Sequence, residues 1–140
     1  VVALVDTQMV LNQSIVGKAA RSNLEGRIKK AQVKLDQAKG EFDKQRGELE
    51  KQAAVLSGAA LESKKEALGK KQLELQRLFQ DTQEELAKSN EQELGKVVKE
   101  IQTAVGQLAQ DRKYTFVFEK SSHGKRFLFC ILTLDEKNIN

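Results

Sequence analysis

Proline is missing from this sequence altogether, and so is tryptophan. Without proline nothing in the covalent chain forces a helix to break, so helices of unusual length are permitted. Aromatic residues are only 5%, and most sit in strand-like stretches; this removes the stacking platforms that single-stranded nucleic-acid binders use. One cysteine, Cys130, excludes an intramolecular disulfide framework. It lies in an apolar run, where a small core hydrophobe is expected rather than a nucleophile. The one histidine, His123, falls in a polar stretch and reads as an exposed loop residue. No run reaches the ~20 apolar residues of a membrane-spanning helix.

These shortages exclude most chemistry. No His, Cys and Asp cluster has metal-ligand spacing. Carboxylates are plentiful, but at helical spacing beside lysines they read as surface pairs, not an acid–base couple. Gly17-Lys18 invites comparison with a phosphate loop, yet Ala19 stands where Ser or Thr is required and Gln13-Ser14 where the first glycine belongs. No catalytic residue, metal or cofactor is expected, and the chain is not expected to be an enzyme.

What the sequence does hold is a heptad. Leu24, Ile28, Ala31, Leu35, Ala38, Phe42, Gln45, Leu49, Gln52 and Leu56 recur at alternating spacings of four and three. At that period one narrow apolar seam keeps facing a partner helix. Beyond Ser57-Gly58 the pattern resumes through Leu61, Leu68, Leu75, Phe79 and Leu86, with Lys65, Gln72, Thr82 and Ser89 in core slots. A slip near Ser89–Glu93 precedes a restart at Leu94, Val97, Ile101, Ala104 and Leu108. The pattern predicts two antiparallel helices, Gly17–Leu56 and Ala60–Asp111, joined by a tight turn. At ~1.5 Å per residue the first would reach about 60 Å, an arm rather than a core. Gln45 and Gln52 either fix the helix register or loosen the seam. Gly26, Gly40 and Gly47 share the heptad position furthest from the seam; they read either as a deliberately bendable face or as drift where packing is indifferent.

The two chain ends differ in character. Val1–Val5 reads as a short buried strand, and Ser14 as a helix cap before Gly17-Lys18-Ala19. Tyr114–Glu119 alternates as a strand, Ser121–Lys125 reads as a turn, and Arg126–Leu132 as an apolar strand. The expected architecture is mainly α: a helical-hairpin coiled-coil arm over residues 17–111, turning near 57–60, on a small β body made from residues 1–16 and 112–140. So small a body is marginal in a monomer, and oligomerisation is the usual remedy.

Net charge is +4, and the sequence pI is near 9.2. Gly17–Leu56 carries ten Lys or Arg against six Asp or Glu, whereas Ala60–Arg112 carries nine against ten. The excess gathers near the turn, at Lys44, Arg46, Lys51, Lys64, Lys65, Lys70 and Lys71. It reads either as attraction to acidic clients, anionic lipid or nucleic acid, or as a solvated coiled-coil face of mixed sign. The chain opens on Val1 rather than methionine; removal of a signal peptide or trimming would each leave such a start.

The order of motifs resembles the Skp/OmpH family. The residues that carry the likeness are Val5-Asp6-Thr7-Gln8, Gly17-Lys18-Ala19, Leu73-x-Leu75-Gln76-x-x-x-Gln80 and Lys113-Tyr114-Thr115-Phe116-Val117-Phe118-Glu119. It covers about residues 1–122, and the tail Gly124–Asn140 departs from the family pattern. The resemblance implies a periplasmic, ATP-independent holdase chaperone, a homotrimer whose β segments form a central body. Its three helical arms would enclose a cavity for unfolded outer-membrane β-barrel proteins.

On that reading Val2, Leu4, Tyr114, Phe116 and Phe118 belong to the trimer body. Phe42, Leu49, Leu56, Lys44, Arg46, Lys51, Lys64 and Lys65 are the candidate client contacts, the first three serving equally well as plain seam. Anionic membrane lipid is a further candidate partner, and no specific nucleic acid is expected. The alternatives are a structural coiled-coil spacer or adaptor binding a folded partner, and a nucleic-acid binder suggested by pI alone.

Overall fold

The computed structural model of the chain describes residues 1–120. Their order is β1 (Val2–Val5), α1 (Thr7–Gln13), α2 (Ile15–Gln52), α3 (Gly58–Asp111) and β2 (Phe116–Glu119). The protein is mainly helical, with one small two-stranded sheet in which β1 and β2 run parallel. Ala, Leu, Lys, Glu and Gln, all strong helix formers, make up most of α2 and α3. The expected strand Arg126–Leu132, His123 and Cys130 lie outside the described residues.

The chain divides into two compact units, Val1–Ser22 with the chain from Glu91 onward, and Asn23–Asn90. In the first unit, Asp6 caps α1 by accepting a hydrogen bond from the Met9 amide at 2.9 Å. This helix is absent from the sequence reading, which runs Met9–Leu11 straight into the cap. Ser14 then serves two helices. Its amide donates to the Val10 carbonyl at 2.8 Å, ending α1, while its hydroxyl accepts from the Gly17 amide at 3.0 Å, starting α2. The expected cap is therefore present, with the helix beginning two residues earlier than predicted, at Ile15.

Val10 and Leu11 of α1 pack on Ala20, Val97 and Ile101, joined by Val105. Val97 is 2% exposed and Ala109 is equally buried. The inner face of α3 thus advances by fours, through Val97, Ile101, Val105 and Ala109. Leu94, Ala104 and Leu108 are exposed, which corrects the predicted restart after the slip. The end of α3 is closed by two crossed hydrogen bonds, Tyr114 N–H to Ala109 O at 2.9 Å and Lys113 N–H to Gln110 O at 3.1 Å. Lys113 takes the left-handed conformation there, with φ of 54°, the position that glycine usually fills.

β1 pairs Val2 with Phe116, Ala3 with Val117, Leu4 with Phe118 and Val5 with Glu119. Residues alternate faces along a strand, so Val117 is buried while Val2, Leu4 and Phe116 stand exposed on the other face. The expectation that Val1–Val5 is a buried strand is corrected: its apolar side chains outnumber what one small sheet covers, and Leu4 is 68% exposed.

In the second unit α2 ends at Gln52, four residues before the predicted Leu56. Val55 and Leu56 both donate to the Gln52 carbonyl, at 3.0 and 3.1 Å, and so turn the chain. Ser57 accepts from the Ala60 amide at 3.4 Å and begins α3 at Gly58. The two helices lie side by side and antiparallel: Gln45–Gln52 faces Lys64–Glu74, Gln32–Lys39 faces Leu75–Gln80, and Arg27–Lys34 faces Thr82–Ser89.

Candidate functional site

The seam between the helices of the second unit is incompletely closed. Leu24, Ala31, Leu35, Ala38, Phe42, Leu49, Gln52 and Leu56 are half-buried, whereas Ile28 and Gln45 are exposed. Every buried hydrophobic residue among the described residues, Ala20, Val97, Ile101, Ala109 and Val117, belongs to the first unit. In the second unit the buried residues are polar, Thr82 and Ser89. Thr82 donates to the carbonyl of Leu78 one turn back at 2.6 Å, a common resolution for a buried hydroxyl in a helix. One partner helix covers one side of each seam residue; the rest stays open to solvent.

Among the described residues, grooves open along this seam. The first, about 450 Å³, has Leu49, Ala67 and Leu68 in its lining, with Lys64, Lys70 and Lys71 against Glu48 and Glu74. The second, about 730 Å³, has Leu35, Leu75 and Phe79 among Gln32, Gln76 and Gln80. The third, about 290 Å³, sets Arg27, Lys30 and Lys34 opposite Glu85, with Thr82 and Ser89 between.

The sequence-predicted residues fall in different places. Leu49 lines the first groove. Phe42 is half-buried in α2, and Leu56 in the turn beside Val55, which is 83% exposed. Lys64 lines the first groove and donates across it to the Gln52 side chain. Gln52 therefore ties the helix register, while Gln45 lines the groove. Arg46 stands between Asp43 and Glu50, each 3.8 Å away. Lys65 pairs with Glu62 at 3.4 Å and Lys70 with Glu66 at 3.0 Å. All these pairs are exposed and contribute little to stability. Lys44 and Lys51 are exposed with no ion pair among the described residues, so their charge is available to a partner. Of the body residues, Val2, Leu4 and Phe116 share the exposed sheet face with half-buried Phe118, whose ring centroid is 6.4 Å from that of Phe116. Tyr114 is half-buried before the strand.

Sequence reasoning missed the groove of Arg27, Lys30 and Lys34. Their spacing of three and four, facing Ser89, is the signal that could have found it. Among the described residues no helix is long and apolar enough to cross a membrane, and no group of three or more His, Cys, Asp or Glu is placed to hold a metal ion.

The family model described as Outer membrane protein (OmpH-like) matches residues 1–129, seven residues beyond the stretch that carries the resemblance in the sequence. A candidate outer membrane chaperone (OmpH-like) from Caulobacter crescentus has a similar fold, with a TM-score of 0.81 and 24% identity, over 84% of this chain and 70% of that one. No curated protein matches the chain significantly. With the match running from β1 through α1, α2, α3 and β2, the chain belongs to the OmpH-like outer membrane protein family.

Proposed function

We propose that this chain is an ATP-independent holdase chaperone of the periplasm that keeps unfolded outer-membrane β-barrel proteins from aggregating. It works as a homotrimer. Strands β1 and β2 of three chains form a common β body, and α2 and α3 of each form a helical-hairpin arm beside a shared cavity. The exposed apolar face of Val2, Leu4 and Phe116 supports an association surface, since apolar area left in water favours burial against another chain.

One observation carries the chaperone reading: the paired helices of the second unit bury no hydrophobic residue among the described residues. Their seam stays half-open in grooves edged by lysines. Such a surface offers many weak apolar contacts and an attractive positive field without one tight pocket, which suits transient capture of an unfolded chain. Phe42, Leu49 and Leu56 supply the apolar share, and Lys44, Arg46, Lys51, Lys64 and Lys65 the charge. The same lysines suit contact with anionic membrane lipid.

The test is dilution of a urea-unfolded outer-membrane barrel into buffer with and without this protein, without nucleotide, followed by light scattering. Suppressed scattering, weaker at high salt, is expected. Undiminished aggregation would overturn the proposal and favour a structural spacer.

A further inference from the structure

The grooves along the seam do not share one chemistry. In the first and third, cations stand one residue before a seam position: Lys30 and Lys34 precede Ala31 and Leu35, and Lys64 and Lys71 precede Lys65 and Gln72. In the second, Gln32 follows Ala31, Gln76 follows Leu75 and Gln80 follows Phe79. One residue is about 100° around a helix, so residues before and after the seam fall on opposite sides of the helix pair. The lining of the second groove holds one acid, Asp36, and one base, Lys39, so its charge cancels. Its apolar surface is open: Phe79 is 50% exposed, and Leu73, one residue past Gln72 on the same side, is 56% exposed. One side of the pair is thus given to positive charge, and the other joins apolar surface to neutral amides.

An amide side chain both donates and accepts, as a peptide group does, and Gln32, Gln76 and Gln80 are all exposed. Gln76 and Gln80 are four residues apart, about 6 Å along α3. In an extended strand the hydrogen-bonding groups of one edge recur every second residue, about 6.6 Å. The two periods agree closely enough for both amides to pair with one edge of a strand laid along the groove, while Gln32 on the α2 wall meets its other edge.

We infer that the second groove binds an extended, uncharged polypeptide segment of alternating apolar side chains. The apolar side chains enter against Leu35, Leu75 and Phe79, and the backbone edges pair with Gln32, Gln76 and Gln80. That alternation is the pattern of a barrel strand. A helical segment has already spent its peptide groups on itself, and a charged one gains nothing from a groove without net charge. The inference rests on the holdase proposal for its natural client, and adds to it a set of contacts that needs no lysine.

The probe is an acetylated and amidated octapeptide alternating valine with serine, titrated into the ¹⁵N-labelled full chain while backbone amide shifts are followed. Saturable shifts confined to residues 32–39 and 75–80 are expected, equal at low and high salt because no charge takes part. The same peptide N-methylated at every second residue loses the donors of one edge and should bind about tenfold more weakly. Gln76→Leu with Gln80→Leu enlarges the apolar surface but removes two amides, and should also weaken binding about tenfold. Unaltered helicity by circular dichroism shows that the variant is folded. Absence of saturable shifts, shifts centred on the two basic grooves, equal binding of the N-methylated peptide, or tighter binding by the leucine variant would each overturn the assignment. Suppressed aggregation of a whole client without peptide binding at this groove would leave the holdase proposal standing and remove this one.

Discussion

The carbonyl oxygen of Leu11 occupies the space in which a side chain on Gly17 would have to stand. Gly17 is buried where α1 folds back on the start of α2, its amide held by the Ser14 hydroxyl at 3.0 Å. The obstacle is backbone, so it cannot swing aside as a flexible side chain would. That contact fixes how Val10 and Leu11 reach the core of Ala20, Val97 and Ile101.

Gly17→Ala should therefore destabilise the fold by roughly 1–3 kcal/mol, as overpacking of a closed site does. Urea unfolding followed by circular dichroism reads this as a lower midpoint. An unchanged midpoint would show that α1 does not pack as described.

The opposite outcome is expected at Gly26, Gly40 and Gly47. Nothing lies within 4 Å of a Cβ built on any of them. Each change to alanine should add about 1 kcal/mol of helix stability, and the three should add nearly independently because they are well separated. A loss of stability in any of them would mean that another chain packs closely on that face.

Lys113 has φ of 54° at the end of α3, a conformation that costs an L-residue about 1–2 kcal/mol. Lys113→Gly should recover about 1 kcal/mol of it, the remainder lost to the greater freedom of glycine in the unfolded chain. Thermal unfolding is the check; a lower midpoint would show that the lysine side chain contributes more than the backbone strain removes.

Ser89→Ala should stabilise the protein by about 1 kcal/mol, because it deletes a buried hydroxyl that has no partner. A destabilised variant would show that the hydroxyl is satisfied in solution.

The heptad made the pairing of α2 with α3 legible, and Thr82 and Ser89 could be placed in core slots from spacing alone. The slip after Ser89 was also visible, but not its consequence. Leu94 competes with Val97 and Val98, and Leu108 with Ala109, so more than one seam can be drawn through the same apolar residues; packing against Ala20 and Leu11 decides between them. The seven residues of α1 are too few for periodicity to show, although Asp6 was a readable cap. At the turn, helix-forming Ala53 and Ala54 argue for continuation, and hydrogen bonds to the Gln52 carbonyl override them. Among candidate client contacts the lysines were legible as a cluster. Which of them are neutralised was not, because that depends on where Asp43, Glu50 and Glu62 place their carboxylates.

Native mass spectrometry of this protein after dilution of a urea-unfolded outer-membrane barrel into it tests the holdase proposal most directly. The account predicts a species of three chains carrying one client. A monomer or dimer without client, or an empty trimer beside aggregated client, would contradict it.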